Sequence, residues 1–166
     1  MFVRTEMTDR FKFKLGFTLI ELLVVISVIG LLMGFGMAKY STAEKQARDT
    51  QRQSDLNQYR VALENYAAAS SSLYPNPTTS CGSVDATGGL CSLVIGSQTF
   101  EDVYLSGICL QDPKFDATYF YRYCVGGSGS QYILWALLES GKYYEICSNG
   151  KSGQTTIAPT GSTCNL

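Results

Sequence analysis

Between residues 17 and 38 the chain carries one charge, Glu21, inside the run Phe-Thr-Leu-Ile-Glu-Leu-Leu-Val-Val-Ile-Ser-Val-Ile-Gly-Leu-Leu-Met-Gly-Phe-Gly-Met-Ala. As a helix this run measures about 33 Å, enough to cross a hydrocarbon core of about 30 Å. From Lys39 to Ser70 the pattern turns amphipathic, with Tyr40, Ala43, Ala47, Leu56, Tyr59, Leu63 and Tyr66 recurring at three- and four-residue steps. No breaker separates the two stretches, so the pattern predicts one continuous helix of about 80 Å. On its polar face Glu44 with Arg48, and Arg52 with Asp55, stand at helical pair spacings. Ser70-Ser71-Ser72, followed by Pro75 and Pro77, ends the helix.

Residues 71–98 read as a connecting loop rich in Ser, Thr and Gly. Beyond them Ala117–Val125 is dense in aromatics and alternates. Gln131–Glu139 is apolar on both alternating faces, which predicts a strand covered on both sides, and Tyr143–Cys147 follows a Ser-Gly-Lys turn. The glycines at 126–129 suit a hairpin turn, since no strand-to-helix phosphate loop follows them. The predicted fold is α+β: a long N-terminal helix packed on an antiparallel sheet of three or four strands spanning residues 99–150, with a polar tail over 151–166.

Glu21 is out of place in an apolar run, where a carboxylate costs about 2.5–3.5 kcal/mol at mid-membrane. A position near the membrane surface, from which the side chain snorkels, is the plain alternative. Arg10, Lys12 and Lys14 precede the run, which places residues 1–15 on the cytoplasmic side and the remainder outside. The first 16 residues are polar and no small-x-small site closes the apolar core, so this is not an ordinary secretory signal. All six cysteines, Cys81, Cys91, Cys109, Cys124, Cys147 and Cys164, lie in the predicted external part, which favours disulfides. Nearest-neighbour pairing, 81–91, 109–124 and 147–164, is the expectation from loop size. A zinc site is disfavoured because the chain has no histidine and no Cys-x-x-Cys.

The stretch Lys14-Leu15-Gly16-Phe17-Thr18-Leu19-Ile20-Glu21 resembles the processing site of type IV pilins and their pseudopilin relatives. The resemblance implies that a prepilin peptidase cuts after Gly16, removing residues 1–16 as a leader, and that Phe17 becomes the N-methylated first residue. Cleavage would leave a cationic amine on Phe17 with Glu21 one turn away, about 6 Å along the axis. If neighbouring helices are staggered by one turn, Glu21 of one subunit meets the Phe17 amine of the next, neutralising two charges that are costly alone. Gly30, Gly34 and Gly36 admit two readings: close approach of neighbouring helices, or local extension of the helix in a fibre, which the resemblance favours although the family's usual proline is absent. Leu110-Gln111-Asp112-Pro113, Tyr119–Tyr123 and Tyr132-x-Leu134-x-Ala136-x-Leu138-Glu139 also look like the family's head.

The implied function is a structural subunit of a pilus-like filament. Its expected partners are further pilin subunits in a homopolymer, the prepilin peptidase, an assembly platform in the membrane, and lipid before assembly. The alternative is a pseudopilin of a secretion or DNA-uptake apparatus, for which a calcium site would speak; Asp112 and Asp116 offer only two of the six to eight oxygens required. Without the leader the chain keeps 9 Lys+Arg against 12 Asp+Glu, a net charge of about −3, which gives no support for a nucleic-acid surface and leaves DNA uptake open. A tethered enzyme is the distant rival: the chain has no histidine, no Gly-x-Ser-x-Gly and no clustered carboxylates at metal-ligand spacing, so neither catalytic residue, cofactor nor metal is expected.

Overall fold

The structure, a computed structural model, describes residues 16–78 and 81–166, with the side chains of 35–38 excepted. The basic leader and Gly36's surroundings therefore lie outside the described residues. The chain forms two compact units, one ending at Ser41 and one comprising Thr42–Leu166.

Helix α1, Leu19–Ala69, supplies the first unit and enters the second. Thr18 starts it: its hydroxyl accepts the Glu21 backbone N–H at 3.3 Å and its carbonyl accepts Leu22 N–H at 3.3 Å. This Thr-x-x-Glu order is the sequence signature of a capped helix start. At the other end Ser72 N–H returns to the Ala67 carbonyl at 2.9 Å, closing the last turn around Ser71 and Ser72 at φ 54° and 63°. Serine has no advantage in that left-handed region, where glycine avoids about 1–2 kcal/mol of strain but loses about 0.4–1 kcal/mol through its freer unfolded chain. Ser71→Gly is therefore expected to stabilise the head by on the order of 0.5–1 kcal/mol, read as a rise in the urea midpoint without a change of slope.

The second unit is a five-stranded antiparallel sheet in the order β1 (Cys81–Ser83), β4 (Arg122–Gly126), β5 (Gln131–Leu137), β6 (Tyr143–Cys147), β7 (Ser152–Thr155). A small hairpin, β2 (Val94–Ile95) and β3 (Gln98–Thr99), leads into the short helix α2 (Phe100–Tyr104), which Thr99 caps reciprocally with Asp102. The meander β4-β5-β6 follows the alternation seen in the sequence, except that residues 117–121 stay outside the strand: Asp116 Oδ1 takes the N–H groups of Thr118 and Tyr119 and turns the chain there. The fourth and fifth strands come from segments that read as loop and tail. β1 is held by its register with β4, and β7 by its register with β6.

One sheet face carries Tyr123, Val125, Tyr132, Leu134, Ala136 and Ile146, joined by Tyr121 just before β4, against Leu56, Tyr59, Ala62 and Leu63 of α1. Those four helix residues are at most 1% exposed, whereas Tyr40, Ala43 and Ala47 of the same periodic series are exposed. Burial of the helix thus starts at Arg52, not at Tyr40. On the opposite face Ile133, Trp135, Cys124 and Cys147 are covered by Tyr143, Cys164 and Leu166, so β5 is buried on both sides as its continuous apolar sequence requires. The hairpin turn at Gly127–Gly129 is pinned by Tyr74, whose N–H donates to the Gly129 carbonyl at 2.8 Å. Gly129 sits at φ 96° and a β-carbon there would stand 3.1 Å from the Tyr74 carbonyl.

The disulfides are Cys81–Cys124, Cys91–Cys109 and Cys147–Cys164. Only the last agrees with nearest-neighbour pairing. The pairs 81–91 and 109–124 are corrected because β1 aligns Cys81 directly opposite Cys124, while the chain through β2, β3 and α2 returns Cys109 to Cys91 beside the Tyr59 hydroxyl.

Candidate assembly site

The N-terminal unit brings together Thr18 and Glu21 at the helix start, with Gly16 and Phe17 leading into it. Every described side chain from Phe17 to Gly34 is exposed in the single chain. Phe17 and Leu19 reach 83% and 84%, and Val24, Val25, Ile26, Val28 and Ile29 stay near half. Ser27, the one other polar side chain within the helical run, donates its hydroxyl to the Leu23 carbonyl at 2.7 Å and so needs no outside partner. Glu21 has no side-chain partner among the described residues. The surface is thus an apolar cylinder with one unanswered carboxylate a turn from its start. Nothing lies within 4 Å of a β-carbon built on Gly30 or Gly34, so the single chain gives no steric reason for glycine at either position.

Among the described residues no single helix is long and apolar enough to cross a membrane; Leu19–Gly34 taken with Lys39–Ala69 meets the requirement of length and composition. Sixteen residues of the first segment reach only about 24 Å, so a full span needs residues beyond Gly34 as well.

Where α1 meets the head, a charge network with no counterpart among the helical pairs expected from the sequence fixes the helix. Arg52 is fully buried, and its Nε and Nη2 donate to Asp112 Oδ2 and Oδ1 at 2.6 and 2.8 Å. Its Nη1 donates to Asp49 Oδ1 at 2.7 Å, and its guanidinium lies over the Tyr119 ring at 4.7 Å. Asp49 Oδ1 also takes the Glu139 backbone N–H at 2.9 Å. Arg48 grips Glu139 with two nitrogens, Nε to Oε1 and Nη2 to Oε2, the latter at 2.9 Å. The expected pairs Glu44–Arg48 and Arg52–Asp55 do not form: both arginines turn to the head, and Asp55 accepts the Tyr121 hydroxyl at 2.6 Å. Charged residues on a helix normally read as its solvent face, and Arg52 was not legible as a buried partner because Asp112 is far away in sequence.

These contacts set the titration of the site. Burial pulls Arg52 down, and its bonds to Asp112 and Asp49 more than restore it, so it stays charged. Burial raises Asp55, against the opposing bond from Tyr121. The hydrogen bonds from Arg48 lower Glu139 from 4.5 to about 2. A folded-state value below the unfolded one means that Glu139 contributes its full stability above about pH 4.5 and loses it as pH falls through about 2. The stability difference between wild type and Glu139→Gln, measured by urea unfolding, is therefore expected to be largest at neutral pH and to shrink across that window. A pH-independent difference would show that the pair is not the cause.

Asp112 has both oxygens committed to Arg52, and its Oδ1 also accepts Lys114 N–H at 2.9 Å. Asp112 with Asp116 thus does not form the nucleus of a calcium site.

The family model for the prokaryotic N-terminal methylation motif matches residues 12–37. No curated protein sequence matches the chain, and no solved structure does. The chain therefore bears, at residues 12–37, the class III signal peptide of type IV pilins and pseudopilins.

Proposed function

We propose that the protein is a structural subunit of a type IV pilus-like filament. The observation that carries the reading is the exposed apolar surface from Phe17 to Leu32, interrupted by the single carboxylate of Glu21. Such a surface is stable in water only when covered. Before assembly lipid covers it, with residues 17–38 crossing the cytoplasmic membrane and the disulfide-bonded head outside, where thiols oxidise. After prepilin peptidase cuts behind Gly16 and Phe17 is methylated, an assembly platform extracts the subunit and the helices of neighbouring copies cover one another. Glu21 then answers the Phe17 amine of the adjacent subunit and sets the axial register. Gly30 and Gly34, free of steric demand in the single chain, supply either the close approach or the local extension that the packed core needs.

Intact-mass and N-terminal analysis of protein sheared from the cell surface tests this. The expected species starts at methylated Phe17 and is six hydrogens lighter than its reduced mass, as three disulfides require. The same processed species recovered only from membranes, never from sheared fibres, would instead indicate a pseudopilin. An unprocessed chain starting at Met1 would remove the assembly argument.

A further inference from the structure

On the side of the head where β1 pairs with β4, a cleft of about 470 Å³ is lined by Ser83, Asp85, Thr87, Phe115, Asp116 and Phe120. Three segments build it: the end of β1 with the turn after it, the loop beyond Pro113, and the lead into β4. The bond from Val84 N–H to the Tyr121 carbonyl, 3.1 Å, holds the first and third side by side. Gly89 tightens the turn, since a β-carbon there would collide with the backbone carbonyls of Ser83 and Ala86. Phe115 is 52% exposed and Phe120 half-buried, so two aromatic rings wall a space within the range of small-ligand sites.

The polar groups of the cleft choose among ligands. Asp85 and Asp116 only accept hydrogen bonds. Asp85 Oδ1 takes the Ser83 hydroxyl and Asp116 Oδ1 takes two backbone N–H groups, while among the described residues no hydrogen bond is made to the second oxygen of either. Hydrogen bonds donated by the Tyr119 and Thr118 N–H groups lower the Asp116 pKa, so it stays ionised. A group placed on these two oxygens must therefore donate hydrogen bonds, which disfavours phosphate and carboxylate groups there. Cations stand beside the lining residues: Lys114 Nζ is 3.9 Å from Asp116 Oδ2, and the Arg122 guanidinium lies over one face of the Phe120 ring, 4.5 Å from its centroid. Lys114 beside Asp116 and Arg122 beside Phe120 already supply positive charge next to the cleft, which favours an uncharged donor over an ammonium group. A molecule with several hydroxyls and an apolar face to lay on an aromatic ring is a sugar.

We propose that this cleft binds a neutral sugar, with Phe115 and Phe120 as the stacking walls and Asp85 and Asp116 as acceptors for its hydroxyls. The site belongs to the head alone and does not depend on how the subunits polymerise.

The test uses the full chain in polyoxyethylene-ether micelles, which present neither sugar nor ammonium, titrated with lactose, maltotriose and chitotriose and followed by saturation-transfer NMR. At least one sugar is expected to bind saturably, and Phe115→Ala to weaken it by about tenfold or more. Asp85→Asn is expected to weaken it by about threefold or more, and Val94→Ala, an exposed apolar control on β2, to leave it unchanged. No saturable binding of any of the three overturns the proposal. So does binding that ignores both cleft variants, or saturable binding of tetramethylammonium in place of the sugars.

Discussion

Replacing Glu21 with alanine is expected to abolish filaments while leaving cleavage after Gly16 and folding of the head intact. The carboxylate has no partner in the single chain among the described residues, and in an apolar surrounding it costs about 2.5–3.5 kcal/mol. Its removal should therefore ease residence in the membrane. On the proposed reading it also takes away the answer to the Phe17 amine of the next subunit, which would then be buried without a counter-charge. The helix start is not at risk, because Thr18 caps the backbone N–H of residue 21 and alanine keeps that donor. Glu21→Gln separates charge from hydrogen bonding: it retains an acceptor for the amine but cannot neutralise it, and should assemble nearly as poorly as alanine. The measurement is filament yield in the sheared fraction, with the N-terminus and the thermal transition of the head as controls. Yield at the wild-type level in Glu21→Ala would sink the proposed role.

The contrast between that site and the head shows what a sequence can carry. Helix α1 and strand β5 were readable because each has a long periodic or continuous apolar pattern that no alternative element satisfies. The processing signature was readable because Gly16, Phe17 and Glu21 sit within six residues of one another. Strands β1 and β7 were not readable: Cys81–Ser83 and Ser152–Thr155 are too short to show alternation and become strands only through their neighbours β4 and β6. Nearest-neighbour reasoning failed for the disulfide 81–124 for the same cause, since a sheet register brings together residues that loop length would keep apart, and with Cys81 and Cys124 so engaged the path through β2, β3 and α2 closes Cys91 on Cys109. The sugar cleft is likewise assembled from three segments, none of which has a motif of its own.

Arg52→Ala is expected to cost the head about 3–5 kcal/mol, because it leaves the Asp112 carboxylate buried with its two strongest donors gone. For a unit of this size that corresponds to a fall in melting temperature on the order of 10–20 °C. Arg52→Lys should recover only part of the loss: one ammonium cannot present the planar fork that reaches both Asp112 oxygens while a third nitrogen holds Asp49. The informative partner is the double variant Arg52→Met/Asp112→Leu. If the single-variant cost comes from an orphaned buried charge, removing both charges should restore most of the stability, and the coupling between the two sites should exceed about 1 kcal/mol. Trp135, the chain's single tryptophan, lies on the sheet face away from α1 and reports unfolding of the head without touching the network. A loss below about 1 kcal/mol in Arg52→Ala would mean that water reaches Asp112 and that the pair does not fix the helix to the head. A double variant as unstable as the single one would mean that Arg52 acts through packing on Tyr119 and its neighbours, with the ion pair incidental.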